Sequence, residues 1–323
     1  MQCLRTILLL GMLSAWPLSS LAQKTMRIVE WNVENAFDTQ HDEGHNDREF
    51  LPQGSHHWTN SRYRKKIDEI GRTIIGLSTP QTDMPAIVGL CEVENDSVLV
   101  QLTERSALRN AGYRYIMTDS PDRRGIDVAL LYQPAFFRPI RHRSLRVPSS
   151  QHGLNPTRDI LHVEGRTVTD DTLHIFVCHL PSKTGGMKNT GKLRNLAAQT
   201  LRGGIDSLLA LNSQAKIIVM GDFNATPRES VFKKLIPPLR ETLPTSRREL
   251  SRPIGTYNFQ GLWSYLDHIL VSPTIVPQGQ AHEARLPHLL NGEGAPFRTF
   301  RGPTYIGGIS DHLPLVLDIV LGN

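Results

Sequence analysis

Seven apolar runs of strand length punctuate this chain, and acid, amide or imidazole residues recur at their ends. Met26–Trp31, Ala86–Cys91, Asp127–Tyr132, Leu173–His179, Lys216–Met220, Leu266–Val271 and Leu315–Leu321 are rich in Ile, Val and Leu and bounded by turn residues. Some alternate and others are nearly continuous, as expected for sheets buried on at least one face. Between them, Arg62–Leu77, Val98–Asn110 and Lys192–Leu211 carry apolar residues at spacings of three and four, which predicts amphipathic helices. Two regions resist assignment: the His-rich Asp38–Ser61 and the Gly-, Pro- and Arg-bearing Ala281–Thr304. Long loops of this kind are often functional. No Ser/Gly linker divides the chain, so residues 23–323 read as one α/β domain.

Residues 1–22 read as a secretory signal: Arg5, then the mostly apolar Ile7–Ala15, then Ser20-Leu21-Ala22 with small residues at the cleavage positions. The apolar run is too short for a spanning helix, and no later segment is long and apolar enough for one. An exported protein in the periplasm or outside the cell is expected. Removing this segment takes only Arg5 from the charges and lowers the net charge from +5 to +4. Cys91 and Cys178 then remain, each inside an apolar run, and read as buried thiols rather than a disulfide framework or a zinc site.

The polar run ends are Glu30-Trp31-Asn32-Val33-Glu34-Asn35, Gly89-Leu90-Cys91-Glu92-Val93-Glu94-Asn95 and Val177-Cys178-His179-Leu180-Pro181-Ser182-Lys183. Met220-Gly221-Asp222-Phe223-Asn224, Ser264-Tyr265-Leu266-Asp267-His268 and Ser310-Asp311-His312-Leu313-Pro314 follow. Singly each is weak, because Asp-x-Asn after a strand is more commonly a turn or a helix cap. Together, six such termini could converge on one crevice beyond the strand ends. The Asp42 loop with His41, His45, His56 and His57 has no recognised ligand spacing and reads as an ordinary polar loop.

In this order and spacing, the residues resemble the endonuclease/exonuclease/phosphatase superfamily, whose best-known fold type is that of deoxyribonuclease I. Asn32, Glu92, Gly221-Asp222-Phe223-Asn224, Asp267 and Ser310-Asp311-His312 match its motifs, from about Met26 to the C-terminus. Trp31–Asn35 and Asp122–Asp127 also look like a branch rich in exported bacterial members. The resemblance implies a four-layer α/β sandwich, two packed β-sheets flanked by helices, with the active site in loops at one end.

It also implies a metal-dependent hydrolase acting on phosphate esters. Glu92 and Asp311 would be the anionic ligands of a hard cation, with Asn32 adding a neutral oxygen. Magnesium is expected, with manganese or calcium as alternatives. His312 would act as acid or base, oriented by Asp267, while Asp222 and Asn224 orient water and bond phosphoryl oxygens. His179 would lie across the scissile phosphate, paired with Asp127 in the manner of deoxyribonuclease-like members.

Three observations bear on substrate. Trp263-Ser264-Tyr265-Leu266-Asp267 stands where inositol polyphosphate phosphatases carry Trp-Cys-Asp-Arg, which counts against that branch. Secreted sphingomyelinases share the His179-like and Asp311-His312-like positions. The alternative is therefore a phospholipid phosphodiesterase or another phosphatase of the same superfamily, while the intact motif residues count against a non-enzymatic binding module. Arg124, Lys183 and Arg194, with Arg298 and Arg301 nearby, lie beside the motifs and favour a nucleic-acid backbone held without base reading. The expectation is an endonuclease of low sequence specificity with nucleic acid as its partner and no protein partner implied.

Overall fold

The two faces of each central strand join different cores. The structure, a computed structural model, describes residues 24–79, 83–183, 187–235, 237–244 and 255–322; the expected signal segment lies outside them. Its strands are β1 (Lys24–Ala36), β2 (Ile87–Val93), β3 (Arg114–Met117), β4 (Asp127–Tyr132), β5 (Phe137–Leu145), β6 (Ile160–Thr167), β7 (Thr172–His179), β8 (Lys216–Asp222) and β9 (Arg240–Glu241). They continue with β10 (Tyr257–Phe259), β11 (Leu262–Ser264), β12 (Asp267–Val271), β13 (Val276–Pro277), β14 (His282–Glu283), β15 (Phe300–Arg301), β16 (Thr304–Tyr305) and β17 (Leu315–Leu321). The helices are α1 (Asn60–Gly76), α2 (Asp96–Val100), α3 (Met187–Leu211) and α4 (Ser230–Leu235).

One sheet has the order β13-β17-β1-β2-β4-β3, with β14 also on β17; the other runs β5-β6-β7-β8-β12-β9. Met26 and Ile28 of β1, Ile175 and Val177 of β7, Ile218 and Met220 of β8, and Ile269 and Val271 of β12 interdigitate in the layer between the sheets. Their neighbours face outward. Val29 and Trp31 meet Ile67, Ile70 and Ile74 of α1, whereas Phe176 and Val219 meet Ala198, Leu201 and Ile205 of α3. Burial on both faces is why these strands read as nearly continuous apolar runs. The arrangement is the expected four-layer sandwich, helix, sheet, sheet, helix, with its layers fixed by period-two side-chain alternation.

All seven apolar runs are strands. Val98–Asn110 differs from the predicted single helix: α2 passes through a π turn and stops, and a 3-10 turn follows at Ala107–Asn110. Buried Ser106 causes the break. Its Oγ donates to the Leu102 carbonyl (2.5 Å) and accepts from the Leu108 N–H (3.1 Å), replacing helix bonds with side-chain ones. Strands β3, β5 and β6, and the two- and three-residue strands β9, β10, β11 and β13 to β16, were not predicted. β5 is a largely exposed edge strand studded with arginines, and β6 interrupts its apolar residues with His162 and Glu164. Cys91 and Cys178 are buried free thiols, as read from the sequence, and burial pushes both up from the ordinary thiol range.

Gly221 in β8 is a point of close approach. At φ +149°, a Cβ there would meet the Cys178 carbonyl oxygen of β7 at 1.7 Å. Gly221→Ala should therefore destabilise the protein by about 3 kcal/mol, combining overpacking with backbone strain. Urea denaturation measures this, and a midpoint within error of wild type would refute the clash.

Candidate active site

Along the strands, the polar site residues continue the apolar rows of the layer between the sheets. His179 follows Ile175 and Val177, Asp222 follows Ile218 and Met220, and Glu30 and Asn32 follow Met26 and Ile28. Register then aligns them: His179 pairs with Asp222, and Asp222 pairs with Asp267. Three neighbouring strands thus present imidazole, carboxylate and carboxylate side by side. The site lies where the apolar core gives way at the strand ends, in a cleft of about 590 Å³.

His312 arrives from the segment before β17. Ser310 ties that segment to β1, its Oγ donating to the Asn32 carbonyl (2.6 Å) and accepting from the His312 N–H (3.0 Å). Trp31 Nε1 donates to the His312 carbonyl at 3.0 Å. So held, His312 places Nδ1 2.7 Å from Asp267 Oδ2 and Nε2 3.9 Å from Asp222 Oδ2. Burial alone would lower the imidazole, but the Asp267 carboxylate and its hydrogen bond raise it well above the ordinary histidine range. Asp222 accepts from Asn32 Nδ2 (3.1 Å), Asn224 Nδ2 (3.2 Å) and the Asn224 backbone N–H (2.8 Å). Burial, then the Asp267 charge, pushes Asp222 up to about 7.

His179 Nε2 lies 3.6 Å from Asp222 Oδ2. Burial, followed by the nearby Arg158 guanidinium, lowers His179 well below the usual range, so the ring is neutral. The expected partnership with Asp127 is not made. Asp127 Oδ1 accepts from Thr118 Oγ1 (2.5 Å) and Oδ2 from the Ser120 N–H (3.2 Å), while His179 Nδ1 has no hydrogen-bond partner among the described residues. Asp127 here caps the turn between β3 and β4.

Glu92, Glu34, Asn35 and Asn224 all adopt left-handed backbone, with φ of 66°, 48°, 50° and 46°. Such strain in non-glycine residues clusters at functional sites. Glu92 Oε2 accepts from the Asn35 N–H at 2.8 Å and lies 3.4 Å from Arg124 Nη2. Burial would raise this carboxyl, but the Arg124 guanidinium and the Asn35 N–H hold it far below the carboxylate range. Asp311 Oδ2 accepts from Arg298 Nη2 at 2.7 Å.

The donors fit a hard cation: Glu92 is an ionised carboxylate whose Oε1, among the described residues, has only a weak 3.5 Å contact from Asn32 Nδ2, and Asp311 shares its cleft. Asn32 fits less directly, because its Oδ1 accepts from the Glu34 N–H (2.9 Å) and it turns Nδ2 toward Asp222 and Glu92. A second set is also compact. Asp222, Asp267 and His312 offer ligand atoms within 4.8 Å of one another and could hold an ion, although the Asp267–His312 hydrogen bond occupies two of the three residues.

Of the expected substrate cations, Arg124 and Lys183 line the cleft. Lys183 Nζ pairs with Glu229 Oε1 at 2.8 Å, and Arg124 also donates to Asn35 Oδ1. Arg194 does not face the cleft. It is buried and donates to the Pro181 carbonyl at 2.7 Å, bracing the segment after β7.

Lys66, Thr299 and Arg158 escaped the sequence reading, and Arg298, read there as lying beside the motifs, is tied to the carboxylates of the site. Buried Lys66 of α1 donates to the Glu34 carbonyl and to Thr299 Oγ1 (2.8 Å), and Glu34 Oε2 accepts from the Thr299 N–H (2.6 Å). Arg298 bridges Glu34 and Asp311. Burial brings Glu34 up to about 8 and Lys66 down to about 8. Arg158 donates to Asp122 Oδ2 (3.0 Å) and the Leu180 carbonyl (3.2 Å). A lysine within the apolar stripe of α1 was the available signal for Lys66; Arg158 had none.

This geometry is accompanied by a match over residues 27–320 to the family model described as endonuclease/exonuclease/phosphatase family. The chain belongs to the endonuclease/exonuclease/phosphatase family. No curated protein sequence matches it. Among solved structures it is similar to the human nocturnin catalytic domain with bound sulfate (20% identity, 91% of this chain and 94% of that chain, TM-score 0.60). It is also similar to a family protein from Bacteroides thetaiotaomicron (19%, 93% and 99%, TM-score 0.62). A mannosyl-6-phosphatase from the same organism matches at 16% identity, 92% and 100% coverage and TM-score 0.59. At these identities the likeness shows the shared fold. Family membership makes the chain a hydrolase of a superfamily that acts on phosphate esters and typically depends on a divalent metal.

Proposed function

We propose that this protein is an exported, metal-dependent phosphodiesterase, and specifically an endonuclease of low sequence specificity. The observation that supports this best is the convergence on one cleft of an ionised Glu92 with Asp311, the Asp222–Asn224 pair, a neutral His179 and the Asp267–His312 dyad. Glu92 and Asp311 would hold the cation, magnesium in this reading, with manganese or calcium as substitutes. When bound, it supplies charge neutralisation at a non-bridging phosphate oxygen.

The chain's own groups account for the rest. Asp222, poised at about 7, accepts a hydrogen bond from water and turns it toward phosphorus. The neutral His179 offers an N–H donor to a phosphoryl oxygen, and Asn224, its Nδ2 bonded to the Leu180 carbonyl and Asp222 Oδ2, holds the Asp222 carboxylate in place. Protonated His312 donates a proton from Nε2 to the leaving oxygen, with Asp267 accepting from Nδ1–H and so orienting the ring and stabilising its charge. Arg124 and Lys183, on the cleft wall, hold the flanking backbone. Export rests on the residue 1–22 pattern alone.

A panel of plasmid DNA, RNA, sphingomyelin, soluble inositol phosphates and a sugar monophosphate, offered to residues 23–323 with magnesium, tests this reading. Sphingomyelin turnover with inert nucleic acid would hand the site to the lipid alternative. On duplex DNA, log affinity should fall linearly with log salt, by about 0.9 per phosphate contacted. Arg124→Ala should make that slope shallower by about one contact and weaken all sequences alike. An unchanged slope removes Arg124 from the substrate surface.

A further inference from the structure

The hairpin β10–β11 stands beside the dyad, and its two faces differ in chemistry. Pairing of Tyr257 with Ser264 and Phe259 with Leu262 places these four side chains on one face, with Asn258 and Trp263 on the other. Trp263 packs against the helical core of α1 and lies under the Arg285 guanidinium (4.4 Å), anchoring the hairpin from behind. On the front, the Tyr257 ring sits 4.9 Å from the His312 ring. Two residues farther from the chemistry, Phe259 also lines the cleft yet stays 55% exposed, and Leu262 beside it is 76% exposed.

A lone exposed phenylalanine needs no explanation elsewhere on a surface. Here it forms part of a cleft wall otherwise built mainly of charged, amide and hydroxyl side chains. We propose that Phe259 is a stacking subsite for the nucleobase attached to the sugar next to the scissile phosphate, with Leu262 extending its apolar surface. The inference rests on the nucleic-acid reading above and sharpens it.

Two considerations select a base over an acyl chain. Tyr257 and Phe259 are two strand residues apart, about 7 Å, comparable with the reach of one sugar between phosphate and base. An acyl chain needs a continuous apolar channel, whereas Tyr257, Phe259 and Leu266 are the only large apolar or aromatic side chains among the cleft-lining residues described. Stacking is tolerant of base identity, so this subsite raises affinity without reading sequence.

Calorimetric binding of thymidine 3′,5′-bisphosphate and of its abasic deoxyribose bisphosphate counterpart tests the assignment on the mature chain. Phe259→Ala should weaken the thymidine ligand about tenfold, the loss of one stacked base. It should leave the abasic ligand unchanged, and Phe259→Trp should restore tight binding. Equal loss on both ligands, loss on neither, or a wild-type protein with no preference for the thymidine ligand overturns the proposal. A short-chain phosphocholine lipid that loses more affinity than the nucleotide does so as well. Plasmid nicking measured in parallel separates the two claims. Phe259-dependent nucleotide preference without nicking sinks the nuclease reading and keeps the subsite, whereas nicking with Phe259-indifferent binding sinks the subsite alone.

Discussion

Asp267→Asn and His312→Ala should each lower turnover by about 10³- to 10⁴-fold, and the double variant should fall little further. The 2.7 Å bond between Asp267 Oδ2 and His312 Nδ1 is the reason: either change leaves an imidazole that is absent, or uncharged and free to adopt the wrong tautomer. The pH profile adds a signed test. Asp222, at about 7, sets the acid limb because its carboxylate must be free to accept, and His312, raised above the histidine range, sets the alkaline limb. The Asp267 charge raises both groups, so Asp267→Asn should move both limbs of the residual activity to lower pH. Fully multiplicative losses, or limbs that stay in place, would mean that the two residues act separately.

Glu92→Gln should raise the magnesium concentration for half-maximal activity by about 100-fold or more, because it removes an ionised oxygen donor held in place by Asn35 and Arg124. The fold should survive within about 1 kcal/mol, since the side chain reaches out of the strand end and its Arg124 partner is half-exposed. A magnesium titration beside a thermal melt checks both parts. A wild-type midpoint for the metal would remove Glu92 from the site.

Much of this arrangement was legible before any coordinates, and period-two alternation explains why. A strand buried on both faces must be apolar throughout, so the residue at which it turns polar marks where the core opens to water. His179, Asp222 and Asp267 are three such points on three paired strands. What the sequence concealed depended on long-range contacts. Asp127 opens a strand just as the family pattern suggested, yet the Thr118 hydroxyl and Ser120 N–H reach it first. Arg194 lies two turns into α3, and the turn of the helix sends it inward to the Pro181 carbonyl rather than to substrate. Lys66 lies on the apolar stripe of α1, but its partners, the Glu34 carbonyl and Thr299, stand far away in sequence. Likewise β5 hides its strand character, because an edge with one solvent face needs no apolar pattern there and gains protection from its arginines.

The most direct test is plasmid nicking by the mature chain, with wild type and His312→Ala compared in magnesium and in excess chelator. The account predicts relaxation of supercoiled DNA by the wild type in magnesium, silence in chelator, and silence from His312→Ala under both conditions. Intact plasmid alongside rapid turnover of a phosphomonoester, or nicking that persists in His312→Ala, would contradict it.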